Sequence, residues 1–264
     1  MLIVGERINT SRKPIAQATE KRDSAFILRE ARLQEEAGAD FIDVNAGTFA
    51  EQEKEHLLWL VDTLHNELSI PLCIDSSDPE VVAEVLDICG EESMVNSITA
   101  EKENYAAMLP LVKKYRCKMV ALSMDDDGIP DELDKKLDVC LSLIDNLLEE
   151  GIEPDNIYVD PLVMAISTGQ NGGVITLNTI AEIRKISPEV HIICGLSNIS
   201  FGVPVRALLN RTFLAMAMTV GLDAVILDPL DKRMMASLIA ANAILGNDAF
   251  CREYIAAYRN KKLE

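Results

Sequence analysis

Short apolar runs alternate with longer amphipathic segments along the whole chain. The short runs are rich in β-branched residues and are bounded by turn residues, which is typical of buried strands. The segments between them repeat apolar residues at three- and four-residue steps and are predicted to be helices. The pattern predicts eight strands: Leu2–Val4, Phe41–Asn45, Pro71–Asp75, Met94–Asn96, Met119–Ser123, Ile157–Asp160, His191–Gly195 and Ala224–Asp228.

Capping residues mark the ends of several predicted helices. Asp23 stands at the start of a segment that Gly38 ends, so we expect an N-cap and a left-handed glycine at these positions. The run Asp78-Pro79-Glu80 places an N-cap residue, a first-turn proline and a first-turn acid in sequence. These signals support regular helices between the strands.

The alternation favours one closed (β/α)8 barrel. Eight repeats of strand and helix fit either a doubly wound sheet or a barrel, and 264 residues match the barrel's typical length of about 250. No Gly-x-Gly-x-x-Gly motif follows the first strand, which disfavours a dinucleotide-binding sheet. No proline-rich or low-complexity linker divides the chain. Residues 1–264 are therefore predicted to form a single domain.

The charge balance narrows the possible partners. Lys and Arg number 25 against 43 Asp and Glu, giving a net charge of −18. This excess disfavours binding to nucleic acid and to anionic membranes. The longest apolar stretch, 213–227, contains Gly221 and Asp223 and is too short to span a bilayer. With no signal-peptide pattern at the start, we expect a cytoplasmic protein.

Cysteine and histidine positions argue against disulfides and metals. The six cysteines lie far apart with no C-x-x-C pair, which in a chain of this length is typical of reduced core thiols. The three histidines have no metal-ligand spacing. We therefore expect no metal site.

Polar residues occupy the end of every predicted strand, where a barrel builds its active site. They are Glu6, Asp43 with Asn45, Asp75, Asn96, Asp125, Asp160, Asn198 and Asp228. Neither lysine nor histidine is among them, which excludes a Schiff-base aldolase and a metallohydrolase. Any one of these residues could be a helix cap instead.

Two of these acids are difficult to explain as caps. Asp43 lies between Ile42 and Val44, and Asp75 directly follows an apolar run. A carboxylate in such a position is costly unless another group meets it. Carboxylates accept adjacent N–H groups, and asparagine offers one donor and one acceptor. The set therefore favours a neutral, donor-rich heterocycle such as a pterin or a guanine-like ring.

Several motifs resemble those of the pterin-binding barrel family, in the right order over nearly the whole chain. They are Gly5-Glu6-Arg7-Ile8-Asn9, Asp43-Val44-Asn45-Ala46-Gly47, Cys73-Ile74-Asp75-Ser76, Val95-Asn96-Ser97, Tyr158-Val159-Asp160-Pro161 and Gly195-Leu196-Ser197-Asn198-Ile199-Ser200. The segments 210–217 and 221–224 are similar to those of its methyltransferase branch. That branch contains the methyltetrahydrofolate:corrinoid methyltransferases and the folate module of cobalamin-dependent methionine synthase.

The resemblance implies a site for tetrahydrofolate or 5-methyltetrahydrofolate. Its residues would be Asp43, Asp75, Asn96, Asp160, Ser197, Asn198 and Arg206. Asp75, Asn96 and Asp160 would meet the N–H and carbonyl edge of the pterin, and Arg206 would lie near the folate. Asn198 would hydrogen-bond near the methyl-bearing ring nitrogen, and the resemblance gives Asn198 and Asp160 catalytic roles.

The implied activity is methyl transfer between tetrahydrofolate and the cobalt of a corrinoid protein, by in-line displacement. Cobalamin would be carried by a separate corrinoid protein, because the chain contains no cobalamin module. Since relatives are dimers, a homodimer is expected. Two alternatives stay open: a non-catalytic folate-binding barrel, and a dihydropteroate synthase-like enzyme. The second is disfavoured because the seventh-strand motif at 197–200 lacks that family's lysine.

Overall fold

The strands close into a single barrel, as the alternation predicts. The computed structural model describes residues 1–169 and 171–263. Eight parallel strands pair in chain order, and the last pairs with the first. The strands are Leu2–Asn9 (β1), Phe41–Asn45 (β2), Leu72–Asp75 (β3), Met94–Thr99 (β4), Lys118–Leu122 (β5), Ile157–Asp160 (β6), His191–Gly195 (β7) and Ala224–Leu227 (β8).

Helices connect the strands on the outside of the barrel. They are Lys13–Glu20 (α1), Ser24–Ala37 (α2), Glu53–Leu64 (α3), Pro79–Cys89 (α4), Lys102–Tyr115 (α5), Leu133–Glu149 (α6), Gly172–Ile186 (α7), Arg206–Thr219 (α8), Lys232–Ile244 (α9) and Arg252–Arg259 (α10). Their apolar faces pack on the outer faces of the strands in one continuous core. None of the described helices combines the length and the apolar character that crossing a membrane requires.

The predicted caps form as expected. The Asp23 carboxylate accepts a hydrogen bond from the Phe26 N–H at 3.1 Å, and Gly38 ends α2 with a φ of 101°. The Asp78 carboxylate accepts from the backbone N–H groups of Glu80 and Val81, at 2.9 and 3.4 Å. Because such bonds satisfy donors that the first helical turn leaves free, these residues fix where the helices begin.

Two strands extend beyond their predicted ends. β1 continues to Asn9 instead of Val4, and β4 continues to Thr99 instead of Asn96. Polar residues follow the apolar run in both, which is why the sequence pattern alone ends the strands early. In β1 those polar side chains, Glu6 among them, face the cavity or form ion pairs, and Ile8 between them is buried in the core, so the strand continues.

The barrel interior changes from apolar to polar along the strands. A separate core at the N-terminal end of the barrel consists of Val4, Phe41, Cys73, Met94, Val120, Tyr158, Ile193 and Ala224. Successive side chains of a strand point to opposite faces, so residues two positions apart share a face. In five of the strands, a polar residue lies two positions after a residue of this core. These polar residues are Glu6, Asp43, Asp75, Asn96 and Asp160. The fold therefore turns these polar groups toward the interior.

Candidate active site

A cavity of about 700 Å³ opens at the C-terminal ends of the strands. This volume lies in the range of about 300–1,000 Å³ that small-molecule sites occupy. Its lining residues are Glu6, Asn9, Ser11, Arg12, Asp43, Asp75, Asn96, Ser197, Arg206, Ala207, Asn210, Ile226 and Asp231. Five of the seven expected site residues are among them: Asp43, Asp75, Asn96, Ser197 and Arg206.

Acids and amides on β2, β3 and β4 form the floor of the cavity. Asn45, Asp75 and Asn96 are register partners on adjacent strands, so they lie at one level. The Asn96 amide donates a hydrogen bond to the Asp43 carboxylate at 3.3 Å. The Asn45 amide donates to the Asp75 carbonyl oxygen at 3.3 Å and orders the strand end instead of lining the cavity. The floor thus places two carboxyl groups beside one amide.

Burial raises the pKa of three acids that line the cavity, Asp43, Asp75 and Glu6. It is the main cause for Asp43, whose pKa lies well above its ordinary value, and the neighbouring Asp75 carboxylate raises it further. Burial raises the pKa of Asp75 to about 6, and Glu53 adds to the effect while the Asn45 amide opposes it. Burial and the charge of Asp228 raise the pKa of Glu6 to about 7. These carboxyl groups are shielded from water, and the hydrogen bonds and positive charges around them do not fully offset the loss of hydration. A ligand rich in N–H donors would supply the missing hydrogen bonds.

Arginine side chains form the opposite wall. Arg206, the first residue of α8, donates from Nε to the Ser200 hydroxyl at 3.0 Å and from Nη2 to the Ser197 carbonyl at 2.7 Å. These bonds connect α8 to the short 3₁₀ turn after β7. Arg12 and Arg206 both lower the pKa of Glu6, although burial outweighs them. The cavity is therefore acidic on its floor and basic on one side.

Asp228 takes part in an ion-pair network beside the cavity and is not among its lining residues. Arg7 bridges Asp228 and Glu30, with N–O distances of 2.8 Å to each, and Arg12 lies 3.6 Å from Asp228. This network joins β1 and α2 to the end of β8. The sequence expectation of an acid at this strand end is confirmed, but the carboxylate is already paired.

Asp125 departs from the expected ring. It lies in a turn after β5, where its N–H and carbonyl pair with Gly128, and it lines surface depressions with Lys102 and Asp138. The acidic run at 125–127 is exposed or half-exposed. The Asp125 carboxylate accepts the Asp127 N–H at 3.0 Å within this surface turn, so the expectation that Asp125 lines the central cavity is wrong.

Asp160 and Asn198 lie outside the cavity lining. Asp160 is 6% exposed, and its carboxylate accepts the Leu162 N–H at 2.8 Å. Burial raises the pKa of Asp160 to about 6, while backbone N–H groups and Lys136 lower it. Asn198 is exposed on the turn 196–200, and its side chain makes no hydrogen bond to the described residues. Their binding and catalytic roles stay predictions.

Sequence reasoning missed five polar lining residues, one of which, Asp231, caps the start of α9. Asn9, Ser11 and Arg12 lie at or after the end of β1, beyond its predicted limit. Asn210 lies one turn after Arg206 on α8, and its buried Oδ1 has no hydrogen-bond partner among the described residues. The four-residue spacing from Arg206 is the signal that points to Asn210, because it puts both on one helix face.

The described residues contain no cluster of three or more histidine, cysteine or acidic side chains arranged to hold a metal ion. The cysteines in that part of the chain are free thiols. Cys73, Cys140 and Cys194 are buried, and burial raises the pKa of each, so their neutral forms are favoured at neutral pH. The chemistry of the cavity is accordingly that of carboxyl, amide and guanidinium groups.

Comparison with known proteins agrees with this donor set. A family model described as pterin binding enzyme matches residues 5–228. The chain is 39% identical, over its whole length, to 98% of the methylcorrinoid:tetrahydrofolate methyltransferase of Eubacterium limosum. It is 29% identical, over 86% of its length, to the methionine synthase of Mycobacterium tuberculosis (strain ATCC 25618 / H37Rv), of which the alignment covers 20%.

Solved structures show the same barrel. A dihydropteroate synthase from Clostridium difficile, crystallised in the presence of pteroic acid, superposes with a TM-score of 0.74 over 92% of this chain and 96% of that chain, at 19% identity. The Xanthomonas albilineans dihydropteroate synthase in complex with 7,8-dihydropteroate gives 0.70 over 94% and 93%, at 18% identity. At these identities the likeness shows the fold alone. By the family model and the full-length relative, the chain belongs to the pterin binding enzyme family.

Proposed function

We propose that this protein transfers a methyl group between tetrahydrofolate and the cobalt of a separate corrinoid protein. The observation that carries the proposal is the cavity floor, where Asp43, Asp75 and Asn96 present two desolvated carboxyl groups and an amide side by side. The E. limosum relative, a methylcorrinoid:tetrahydrofolate methyltransferase that matches over the full chain, supports the same reaction class.

The cavity fits the pterin ring of a folate. The ring presents N–H donors beside a carbonyl, and carboxylates bind adjacent N–H donors well. Asp43 and Asp75 have raised pKa values because they are buried, so N–H donors would compensate their ionised forms. The buried Asn210 Oδ1 offers one further acceptor. Arg206 lies on the wall toward which the acidic tail of a folate would extend.

Methyl transfer requires a change of protonation at the N5 nitrogen of the pterin. The corrinoid protein would supply cobalt as the other methyl carrier: the methyl group would move as a cation equivalent, and the electron pair of the broken bond would stay on the atom it leaves, cobalt or N5. When N5 gains the methyl group it loses its proton, and in reverse it takes one up. Glu6 lines the cavity with a pKa raised to about 7, so it can hold that proton near neutral pH.

Asn198 is proposed to act at the same nitrogen. Its turn follows β7 and is held by Arg206, which donates to the Ser197 carbonyl. An exposed amide without a hydrogen-bond partner among the described residues is free to turn toward a bound pterin. As the N–C bond breaks, its electron pair stays on N5, so an amide N–H donor placed there stabilises the transition state more than the ground state.

An anaerobic spectroscopic assay tests the proposal. We expect the protein to convert methylcobalamin and tetrahydrofolate to Co(I) cobalamin, and to consume Co(I) when 5-methyltetrahydrofolate is supplied instead. Tetrahydrofolate binding without any spectral change, with free cobalamin and with a corrinoid protein, would indicate a non-catalytic folate-binding barrel. Formation of dihydropteroate from a pterin diphosphate and 4-aminobenzoate would favour the synthase alternative.

A further inference from the structure

A lysine is fully buried behind the end of β6. Lys136, in the first turn of α6, has no solvent exposure. Its ammonium group donates hydrogen bonds to the carbonyl oxygens of Pro161 and Leu162, at 2.6 and 3.1 Å. The lysine ion pairs in the described ranges all involve other lysines. Burying a cation costs free energy, so the position of Lys136 against these two carbonyl groups calls for a functional explanation.

The two carbonyls belong to a segment with an unusual backbone. Leu162 has a φ of 55°, a left-handed conformation that a residue with a Cβ rarely adopts. Its N–H donates to the Asp160 carboxylate at 2.8 Å, and its carbonyl accepts from Lys136. Asp160 therefore binds the backbone N–H of Leu162, and Lys136 binds the carbonyl oxygen of the same residue.

The backbone N–H groups of Leu162 and Gly195, and then the charge of Lys136, oppose the effect of burial on the pKa of Asp160. Cys140 on α6 and Cys194 on β7 lie near Lys136, but burial raises the pKa of Cys140 to about 11 and that of Cys194 well above its ordinary value, so both are neutral. Asp131 acts on Lys136 from the segment before α6. Burial lowers the pKa of Lys136, and Asp160 opposes that change. Reciprocally, the Lys136 ammonium favours the ionised form of Asp160.

We propose that Lys136 is a positioning residue for folate binding: it fixes the Pro161–Leu162 segment, whose Leu162 N–H turns the Asp160 carboxylate toward the pterin. The inference rests on the proposed function, because it requires Asp160 to meet the bound folate. Asp160 stands two residues after Tyr158, which belongs to the barrel core, so its side chain is on the interior face of β6.

The first test compares Lys136→Met with Lys135→Met, a matched change at the exposed neighbouring lysine. Tetrahydrofolate binding is measured by calorimetry from pH 5.5 to 8.5. In the native protein, affinity should fall below about pH 6 as Asp75 and Asp160 are protonated, and the Asp160 share is the part that Lys136 affects. Lys136→Met should weaken binding about tenfold at pH 7 and move the midpoint up by about one pH unit, whereas Lys135→Met should behave as the native protein.

A double substitution separates positioning from a purely structural role. In an Asp160→Asn background, Lys136→Met should have no further effect on the pH dependence of binding. A loss of thermal stability with an unchanged midpoint and affinity would overturn the proposal. If the native protein binds no tetrahydrofolate, it is the proposed function that fails. Binding by the native protein therefore distinguishes failure of the Lys136 proposal from failure of the proposed function.

A second measurement needs no change at Lys136. The pKa of Lys136 is followed in the ligand-free protein through its ¹³Cε resonance, with and without Asp160→Asn. Because Asp160 raises that pKa, the substitution should lower it further. The same value in both proteins would show that the two groups are uncoupled and would contradict the proposal even if Lys136→Met does not fold.

Discussion

At the scale of single residues, the site is defined by groups that the fold has removed from water. Asp43 is 3% exposed, and its nearest polar neighbours are Asn96, which donates to it, and Asp75, which repels it. Such an arrangement is unfavourable in the ligand-free protein and becomes favourable when N–H donors arrive. Under the proposed function, this burial gives the site its affinity and specificity for one edge of the pterin ring.

The role proposed for Asn198 gives a prediction that separates rate from affinity. Asn198→Ala should lower the rate of methyl transfer by about 100-fold or more, because it removes a group needed in the transition state. The dissociation constant of tetrahydrofolate, measured by calorimetry, should change by less than about fivefold. Asn247→Ala is the control, since Asn247 is exposed in the loop after α9. Equal losses in rate and affinity would contradict the catalytic role.

At the scale of elements, the polar side chains of the site lie at the strand ends, and bonds from neighbouring helices fix the positions of those strand ends. The Arg206 guanidinium connects the start of α8 to the turn after β7 through Ser197 and Ser200. The Arg7 network does the same between β1, α2 and β8. Since an active site tolerates little displacement of its groups, such connections between neighbouring loops are as important as the groups that meet the substrate.

Removing the Arg206 connection should affect binding and rate together. Arg206→Gln should weaken tetrahydrofolate binding and lower the transfer rate by about tenfold each, which corresponds to one charge-assisted hydrogen bond. Arg206→Lys should not restore either, because an ammonium group cannot reproduce the two directed bonds of the guanidinium. Arg259→Gln on the exposed end of α10 serves as control. Native kinetics in Arg206→Gln would refute this role.

The cap of α4 gives a prediction about stability alone. Asp78 accepts hydrogen bonds from two backbone N–H groups and is exposed, away from the cavity lining. Asp78→Ala should lower the free energy of unfolding by about 1 kcal/mol, and Asp78→Ser should recover most of it. Urea unfolding measures both changes. Methyl transfer should be unaffected, and a reduced rate in folded Asp78→Ala would show that this end of α4 contributes to the site.

The bounds of some strands could be predicted from the sequence, and those of others could not. The bounds of β2, β6 and β7 are those predicted, because each is a short apolar run that ends at a turn signal. β1 is longer because its polar side chains have partners that only the closed barrel supplies. Lys136 could not be predicted, since Lys135 and Lys136 look alike in sequence and only packing buries one of them.

At the scale of the whole molecule, the site reduces the stability of the ligand-free fold. The folded pKa of Asp75, about 6, lies above its ordinary value of 3.8. The neutral carboxyl is therefore the form that the fold favours, and the stability it contributes is complete below about pH 4 and is lost as the pH rises through 6. Ligand binding should restore what ionisation removes.

Asp75→Asn tests this trade between stability and function. The amide imitates the neutral acid, so the free energy of unfolding at pH 8 should rise by about 1–3 kcal/mol. The gain should shrink toward zero as the pH falls to 4, while tetrahydrofolate affinity at pH 8 should fall at least tenfold. Asp145→Asn, at an exposed position of α6, is the matched control. A variant less stable than the native protein at pH 8 would contradict this account.

The central claim is that the acidic floor of the barrel holds a folate from which, or to which, a methyl group moves. A single-turnover experiment with ¹³C-methylcobalamin, tetrahydrofolate and the protein, followed anaerobically by ¹³C nuclear magnetic resonance, tests it most directly. The account predicts that the methyl resonance moves from its cobalt-bound position to that of 5-methyltetrahydrofolate, and that Asn198→Ala slows the change. A resonance that stays on cobalt while tetrahydrofolate is bound, with the free cofactor and with a corrinoid protein, would contradict it.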